Sequence, residues 1–353
     1  MHIVGSSRRA VTRRRLGVVA IAVSAALVLA ACSASRDSTG APLSSPVVTS
    51  SGGTSRGTAP APSTSSAAAT PTRSAAPGAP VHVSLLQGDG GVYGIGMPIV
   101  AYVDRKVSDA TAFEQATTVT VNGAPAAGAW YWQRSGRDGQ VLEAHYRTRA
   151  YWPAHAKINV VLPVKGLSAG PGLTFENSLT LSIATGPAHV SSVDCRAEKL
   201  TVTSDGKHVR TLPTSCGKAK TPTFTGTKVV MQKGENVPGS SRLRPNGTVR
   251  FIGSDPADPY DLLVPWSVRL TNSGEYVHSA SWNGGNIGIR STSNGCTNLT
   301  VTDAEWFYRF AAIGDVVTYT NTGGKPMPSW DGLGDWNLAW STWQDGGVVP
   351  SSN

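Results

Sequence analysis

Downstream of residue 80 the chain alternates apolar and polar positions over short runs. Residues 82–85, 97–103, 118–121, 140–144, 157–162 and 178–183 have the period of two, or the β-branched content, that predicts strands. Asn122-Gly123, Arg137-Asp138-Gly139 and Gly170-Pro171-Gly172 separate them as turns. Regular short strands of this kind predict an immunoglobulin-like β-sandwich over residues 80–186, without an inter-sheet disulfide because the region contains no cysteine. Trp130-Tyr131-Trp132 and Tyr151-Trp152-Pro153 read as core and edge aromatics, with a sugar-binding surface as the alternative.

Residues 187–322 form a second β-rich unit. It opens with strand-like segments at 189–193, 199–203 and 209–212, and Asp205-Gly206 is a two-residue hairpin signal between the last two. Folding about that turn pairs residues whose numbers sum to about 411, as those of Cys195 and Cys216 do. A bridge between them is the expectation; two partly buried thiols are the alternative, since the Cα atoms must come within about 7 Å. Residues 323–353 are a Trp-rich extension. Trp336, Trp340 and Trp343 are spaced i, i+4, i+7, predicting a helical face that packs on the second unit, with a glycan-binding role as the alternative. The fold class is therefore mainly β.

The pattern changes character before residue 80. Five arginines up to Arg15 precede the uncharged apolar stretch Leu16 to Ala31, which is short for a membrane span and fits an export signal over residues 1–31. It ends Leu29-Ala30-Ala31-Cys32, similar to a lipobox in which Cys32 is acylated; Arg13-Arg14-Arg15 also resembles a twin-arginine signal. Residues 32–79 are nearly all Ser, Thr, Ala, Pro and Gly, too polar to bury a core. Such a tether has a mean span of about 40 Å. The expected location is the outer face of the cytoplasmic membrane, lipid-anchored, with the folded part in the wall.

Charge adds little. The formal net charge of +9 lies mostly in the signal and tether, leaving about +2 on residues 80–353, and no basic run carries interleaved aromatics. Nucleic acid is excluded as a partner. Cysteine parity adds more. Export places Cys195, Cys216 and Cys296 in an oxidising setting, where an odd count leaves one thiol unpaired.

Cys296 lies in Ser293-Asn294-Gly295-Cys296-Thr297-Asn298, and His278 precedes it by seventeen intervening residues that include Gly284, Gly285, Gly288 and Gly295. A thiol nucleophile needs a base to accept its proton and return it to a leaving amine. His189 and His208 belong to the opening strands, so His278 is the candidate base, and Gly295 allows backbone N–H groups near a developing oxyanion. On residue chemistry alone, a His and a Cys this far apart are weak evidence, and a satisfied histidine with a buried cysteine is the favoured alternative. A zinc site lacks any C-x-x-C pair, and no metal is expected.

These words resemble a family. Tyr276-Val277-His278-Ser279-Ala280-x-Trp282, Ser293-x-Gly295-Cys296-x-Asn298, Glu305-Trp306-Phe307-Tyr308 and Asp331-Gly332-Leu333-Gly334-Asp335-Trp336-Asn337 are similar to the L,D-transpeptidases with a YkuD-like catalytic domain, in particular actinobacterial members with Ig-like domains. The resemblance implies that Cys296 attacks the bond after the third residue of a peptidoglycan tetrapeptide stem, releases D-alanine and passes the acyl group to an amine on another stem, forming a 3-3 cross-link without a cofactor. It matches His278 to the base, Ser279 to the carbonyl that orients it, and Gly295, Cys296 and Tyr260 to the oxyanion site. Trp282, Ser293 and Asn298 match site-lining positions, residues 232–258 a substrate-covering flap, and carbapenems are the expected inhibitors. Asn294 departs from the usual Ser-His-Gly-Cys. That departure leaves two other readings: a lipid-tethered wall-peptide-binding protein with weak or no turnover, and an L,D-carboxypeptidase using water.

Overall fold

A computed structural model describes residues 78–253 and 259–351. The export signal, Cys32, the tether up to residue 77 and residues 254–258 of the flap lie outside the described residues.

The first unit is a two-sheet sandwich. One sheet orders Val83–Leu85, Ile99–Val103, Leu142–Thr148 and Gly128–Arg134, all antiparallel. The other orders Val92–Tyr93, Leu179–Thr185, Lys157–Leu162, Thr118–Val121 and Ala124–Pro125. Alternation does what it predicts in Lys157–Leu162, where Ile158, Val160 and Leu162 point inward and their neighbours face water. Trp130 and Trp132 are core residues, packed edge-on against Phe113 of the short helix Thr111–Ala116. No residue period announced that helix, six residues long with Phe113 alone buried, or the strand Gly128–Arg134, which is intermediate or buried on both faces up to Gln133.

The second unit has a five-stranded sheet ordered Lys207–Pro213, Lys199–Ser204, His189–Asp194, Val316–Thr320 and Gly226–Val229. Asp205 and Gly206 both take positive φ, 48° and 75°, as a tight hairpin requires. The ladder pairs Ser204 with Lys207 and Thr203 with His208, then shifts at a bulge so that Leu200 meets Leu212. Cys195 and Cys216 lie beyond its end, joined by a disulfide with a Cα–Cα distance of 5.7 Å.

A four-stranded sheet ordered Gln232–Lys233, Val268–Arg269, Tyr276–Ser279 and Thr297–Leu299 completes the unit. Its last pair is parallel, His278 opposite Asn298. Parallel neighbours need a long crossover, and the glycine-rich stretch between His278 and Cys296 is that crossover. The helix Val301–Phe310 buries Ala304 and Phe307 in the core; Thr300 Oγ1 caps it by accepting from the Asp303 N–H at 3.1 Å.

The C-terminal tryptophans correct the sequence expectation. They do not form one helix: a 3-10 turn Asp335–Asn337 is followed by extended Leu338 and Ala339 and then the short helix Trp340–Gln344. They pack chiefly on the sandwich, not on the second unit. Trp343 is fully buried, stacks on Tyr131 and donates Nε1–H to the Ala129 carbonyl at 2.9 Å. Trp336 donates to the Gly96 carbonyl at 2.8 Å. Arg147 projects from the sandwich between the rings of Trp336, Trp340 and Trp343, its guanidinium carbon 4.3 to 5.2 Å from their centroids. The side that attracts these rings is cation–π contact with a buried arginine, which residue spacing does not report.

Candidate active site

The parallel strands Tyr276–Ser279 and Thr297–Leu299 bring His278 and Cys296 to one end of the four-stranded sheet. Both line a cleft of about 560 Å³. Tyr260, Trp282, Ser293, Asn294 and Asn298 line it too, so residues spread over 38 positions of sequence converge on one opening.

His278 is 3% exposed. Its Nδ1 lies 2.8 Å from the Ser279 carbonyl. A carbonyl only accepts, so Nδ1 carries the hydrogen and Nε2 keeps a lone pair. Burial depresses the imidazole to about 4 against the weaker opposing pull of that carbonyl. The ring is therefore a neutral base across the physiological range. Phe251 meets it edge-on at 5.1 Å and Trp282, 57% exposed, stacks over it at 6.0 Å.

Cys296 is half-buried and is the free cysteine among the described residues. Burial pushes its thiol up to about 12, so it rests protonated, its Sγ–H donated to the Gly274 carbonyl at 3.5 Å. The resting pair is neutral thiol and neutral imidazole, a state that needs base catalysis at the moment of attack rather than a standing thiolate. Gly295 has φ +114°, and its N–H lies 3.2 Å from Ser293 Oγ, which in turn donates to the Cys296 carbonyl at 2.6 Å. Ser293 thus braces the turn that carries Cys296. Asn294 is exposed and its Oδ1 accepts from Thr221 Oγ1 at 3.2 Å.

Residues that pattern reading missed surround this core. The hairpin Val249–Ile252 with Asp261–Val264 supplies Arg250, Phe251, Ile252 and Leu262 to the cleft; the flap therefore extends beyond residue 258. Behind Gly295, the fully buried Lys228 makes an ion pair with Glu275, whose other oxygen accepts from the Phe224 N–H at 2.7 Å. Lys228 lies in the four-residue strand Gly226–Val229, and its partner is 47 positions away in sequence. Among the described residues no group of three or more His, Cys, Asp or Glu is arranged to hold a metal.

A neutral cysteine–histidine pair at the end of a parallel strand pair, with an oriented imidazole and a braced glycine turn, is the apparatus of a cysteine acyl-transfer domain. The family model described as the L,D-transpeptidase catalytic domain matches residues 189–318, and the model of a bacterial Ig domain matches residues 50–168. L,D-transpeptidase 2 of Mycobacterium tuberculosis is 32% identical over 270 residues, covering 76% of this chain and 63% of that protein. Probable L,D-transpeptidase 3 of the same species is 30% identical over 254 residues, covering 66% of this chain and 84% of that protein. The solved structure of the L,D-transpeptidase LdtMt1 in complex with imipenem aligns with a TM-score of 0.54 at 27% identity, covering 67% of this chain and 97% of that one. The chain belongs to the L,D-transpeptidase family. It spans about three fifths of the length of the first of these relatives.

Proposed function

We propose that this chain is a peptidoglycan L,D-transpeptidase that forms 3-3 cross-links through a Cys296 thioester. The observation that carries the reading is the pairing of an oriented, neutral His278 with the free thiol of Cys296 in one cleft.

The donor stem enters with its third-residue carbonyl carbon at Cys296. As sulfur attacks, His278 Nε2 takes the thiol proton, and the carbonyl electrons move to oxygen. Tyr260 and the N–H groups of Gly295 and Cys296 receive that oxyanion; the Gly295 N–H leaves Ser293 Oγ to do so. The tetrahedral centre collapses, the C–N bond breaks, and His278 returns the proton to the departing D-alanine amine. An acceptor amine then attacks the thioester carbon and His278 takes its proton; the C–S bond breaks, and His278 passes that proton to the departing sulfur, which restores the thiol. Trp282, stacked on His278 and largely exposed, guards the mouth, with Asn298 on the floor. Carbapenem-type β-lactams would acylate the same sulfur; the imipenem complex of a relative supports this.

The proposed division of the chain is an export signal over 1–31, a lipid anchor at Cys32 with a tether to 79, an Ig-like spacer over 80–186, the catalytic unit over 187–322 and a clasp over 323–353. In this arrangement the catalytic unit works in the wall at the outer membrane face.

Intact-mass analysis of the chain with imipenem, and with a tetrapeptide stem plus an amine acceptor, tests the reading beside Cys296→Ala. A covalent adduct and a cross-linked dimer are expected from the wild type only. Release of D-alanine with tripeptide as sole product would instead establish the carboxypeptidase, and absence of both adduct and product the binding protein.

A further inference from the structure

We infer that the Cys195–Cys216 disulfide positions the nucleophile: it anchors residues 214–223, and these form the cradle of the loop that carries Cys296. The inference rests on Cys296 being the acylated residue.

The loop from Thr292 to Cys296 has little regular structure of its own. Its shape comes from the segment beside it. The Ser293 N–H donates to the Cys216 carbonyl at 3.0 Å, and the Lys218 N–H donates to the Ser293 carbonyl at 2.9 Å. One residue earlier, Ser215 and Asn298 exchange N–H to carbonyl bonds at 2.9 and 3.1 Å, and the Thr292 N–H reaches Ser215 Oγ at 3.2 Å. One residue later, Thr223 Oγ1 accepts from the Gly217 N–H at 2.9 Å and donates to the Gly295 carbonyl at 2.8 Å. Thr221 holds Asn294. Cys216 is thus at the centre of the contacts that set Ser293, Asn294, Gly295 and Asn298.

The cradle itself is not a strand of either sheet. It runs between Pro213, the last residue of one strand, and Gly226, the first of the next. A connection of that length holds no fixed position unless something ties it. The disulfide supplies the covalent tie, beside the Thr214 N–H bond to the Glu198 carbonyl at 2.9 Å. Cys195 follows the strand His189–Asp194, and its N–H is bonded to the Thr320 carbonyl at 3.1 Å on the neighbouring strand. The bond therefore couples the five-stranded sheet to a loop that bonds the turn carrying Cys296 through Ser215, Cys216, Lys218, Thr221 and Thr223. Both sulfurs are buried, at 5% and 1% exposure.

Two readouts on the intact chain should move in opposite directions when the tie is lost. Cys195→Ala/Cys216→Ala is compared with the oxidised wild type by intact mass. Acylation of Cys296 by imipenem should slow at least tenfold, because the turn no longer presents the thiol to His278 in a fixed geometry. Alkylation of Cys296 by iodoacetamide at pH 8 should instead accelerate at least threefold, because a released loop exposes a thiol that the cradle keeps half-buried. Thr223→Val, which retains the disulfide, should show the same pair of changes to a smaller degree. Its effect should be less than multiplicative with loss of the bond.

Equal imipenem and iodoacetamide rates in the two proteins would overturn the inference. So would loss of the near-ultraviolet tryptophan signal of the whole molecule at the assay temperature, since the bond would then hold the fold and not the loop. Alkylation needs no transpeptidase activity. An oxidised wild type that forms no imipenem adduct overturns the functional reading, while the alkylation arm still decides this one.

Discussion

His145 in the sandwich and His278 in the cleft beside Cys296 are both buried, 1% and 3% exposed, yet one is held as a cation and the other neutral. Burial disfavours the cation at each. At His145 the Asp335 carboxylate, 2.7 Å from Nδ1, and Glu143, 3.4 Å from Nε2, overcome it and raise the imidazole to about 10. At His278 the partner is a carbonyl, which orients the ring without carrying a charge, and the imidazole falls to about 4. A charged partner makes a clasp between the sandwich and the C-terminal extension; a neutral partner makes a base. What distinguishes the scaffold from the site is therefore the charge of one acceptor, not depth in the protein.

The largest way to break this comparison is at the base. His278→Gln should slow Cys296 acylation by about 10²- to 10⁴-fold, the usual range for losing a general base. His145→Gln should change it by less than about threefold. Stopped-flow acylation by imipenem measures both, and similar losses would mean that His278 has no special role.

Next in size is the clasp. Asp335→Asn leaves the buried imidazolium with Glu143, 3.4 Å away, as its remaining carboxylate and should destabilise the fold by about 3 kcal/mol in urea unfolding. A cost below about 1 kcal/mol would contradict a charged His145.

The two histidines should also fail at opposite ends of the pH scale. The folded value of His278 is depressed, so its contribution is full above about 6.5 and is lost as pH falls through about 4. The folded value of His145 is raised, so its contribution is full below about 6.5 and is lost as pH rises through about 10. Urea unfolding measured from pH 4 to 10 should lose the acid limb in His278→Gln, about 3 kcal/mol, and the alkaline limb in His145→Gln, about 5 kcal/mol. Acylation should likewise keep its base form down to about pH 4.

The smallest effect is expected at the departure from the family motif. Asn294 is exposed on the lining of the same cleft, and its Oδ1 accepts from Thr221 Oγ1. Asn294→His should alter acylation by no more than about threefold, the size of one solvent-exposed hydrogen bond. A hundredfold gain would make that position part of the chemistry.

Strand periodicity located Lys157–Leu162 and Leu179–Thr185 because these strands bury one face and wet more of the other, whereas Ile99–Val103, buried throughout, was located by its apolar β-branched run. Periodicity could not locate Gly128–Arg134, whose two faces meet the core on one side and the C-terminal clasp on the other. The hairpin sum brought Cys195 and Cys216 to the same end but missed the bulge, since a bulge changes register without changing the turn. His278 and Cys296 were legible because their residue types name their chemistry and the glycines between them permit a return. Lys228 with Glu275, and the cradle at 214–223, were not: each is defined by a partner distant in sequence, and neither has a period.

Residue order by itself determined the β class, the hairpin at Asp205-Gly206, the odd thiol and the candidate base. Those depend on local sterics, on counting and on side-chain chemistry, which travel with the residues. Tertiary structure alone decided that Nδ1 of His278 faces a carbonyl, that Asp335 makes His145 a cation, and that the terminal tryptophans close on Arg147 of the sandwich. Each of those outcomes is an electrostatic balance among buried groups, set by distances of a few ångströms between residues that the chain keeps far apart.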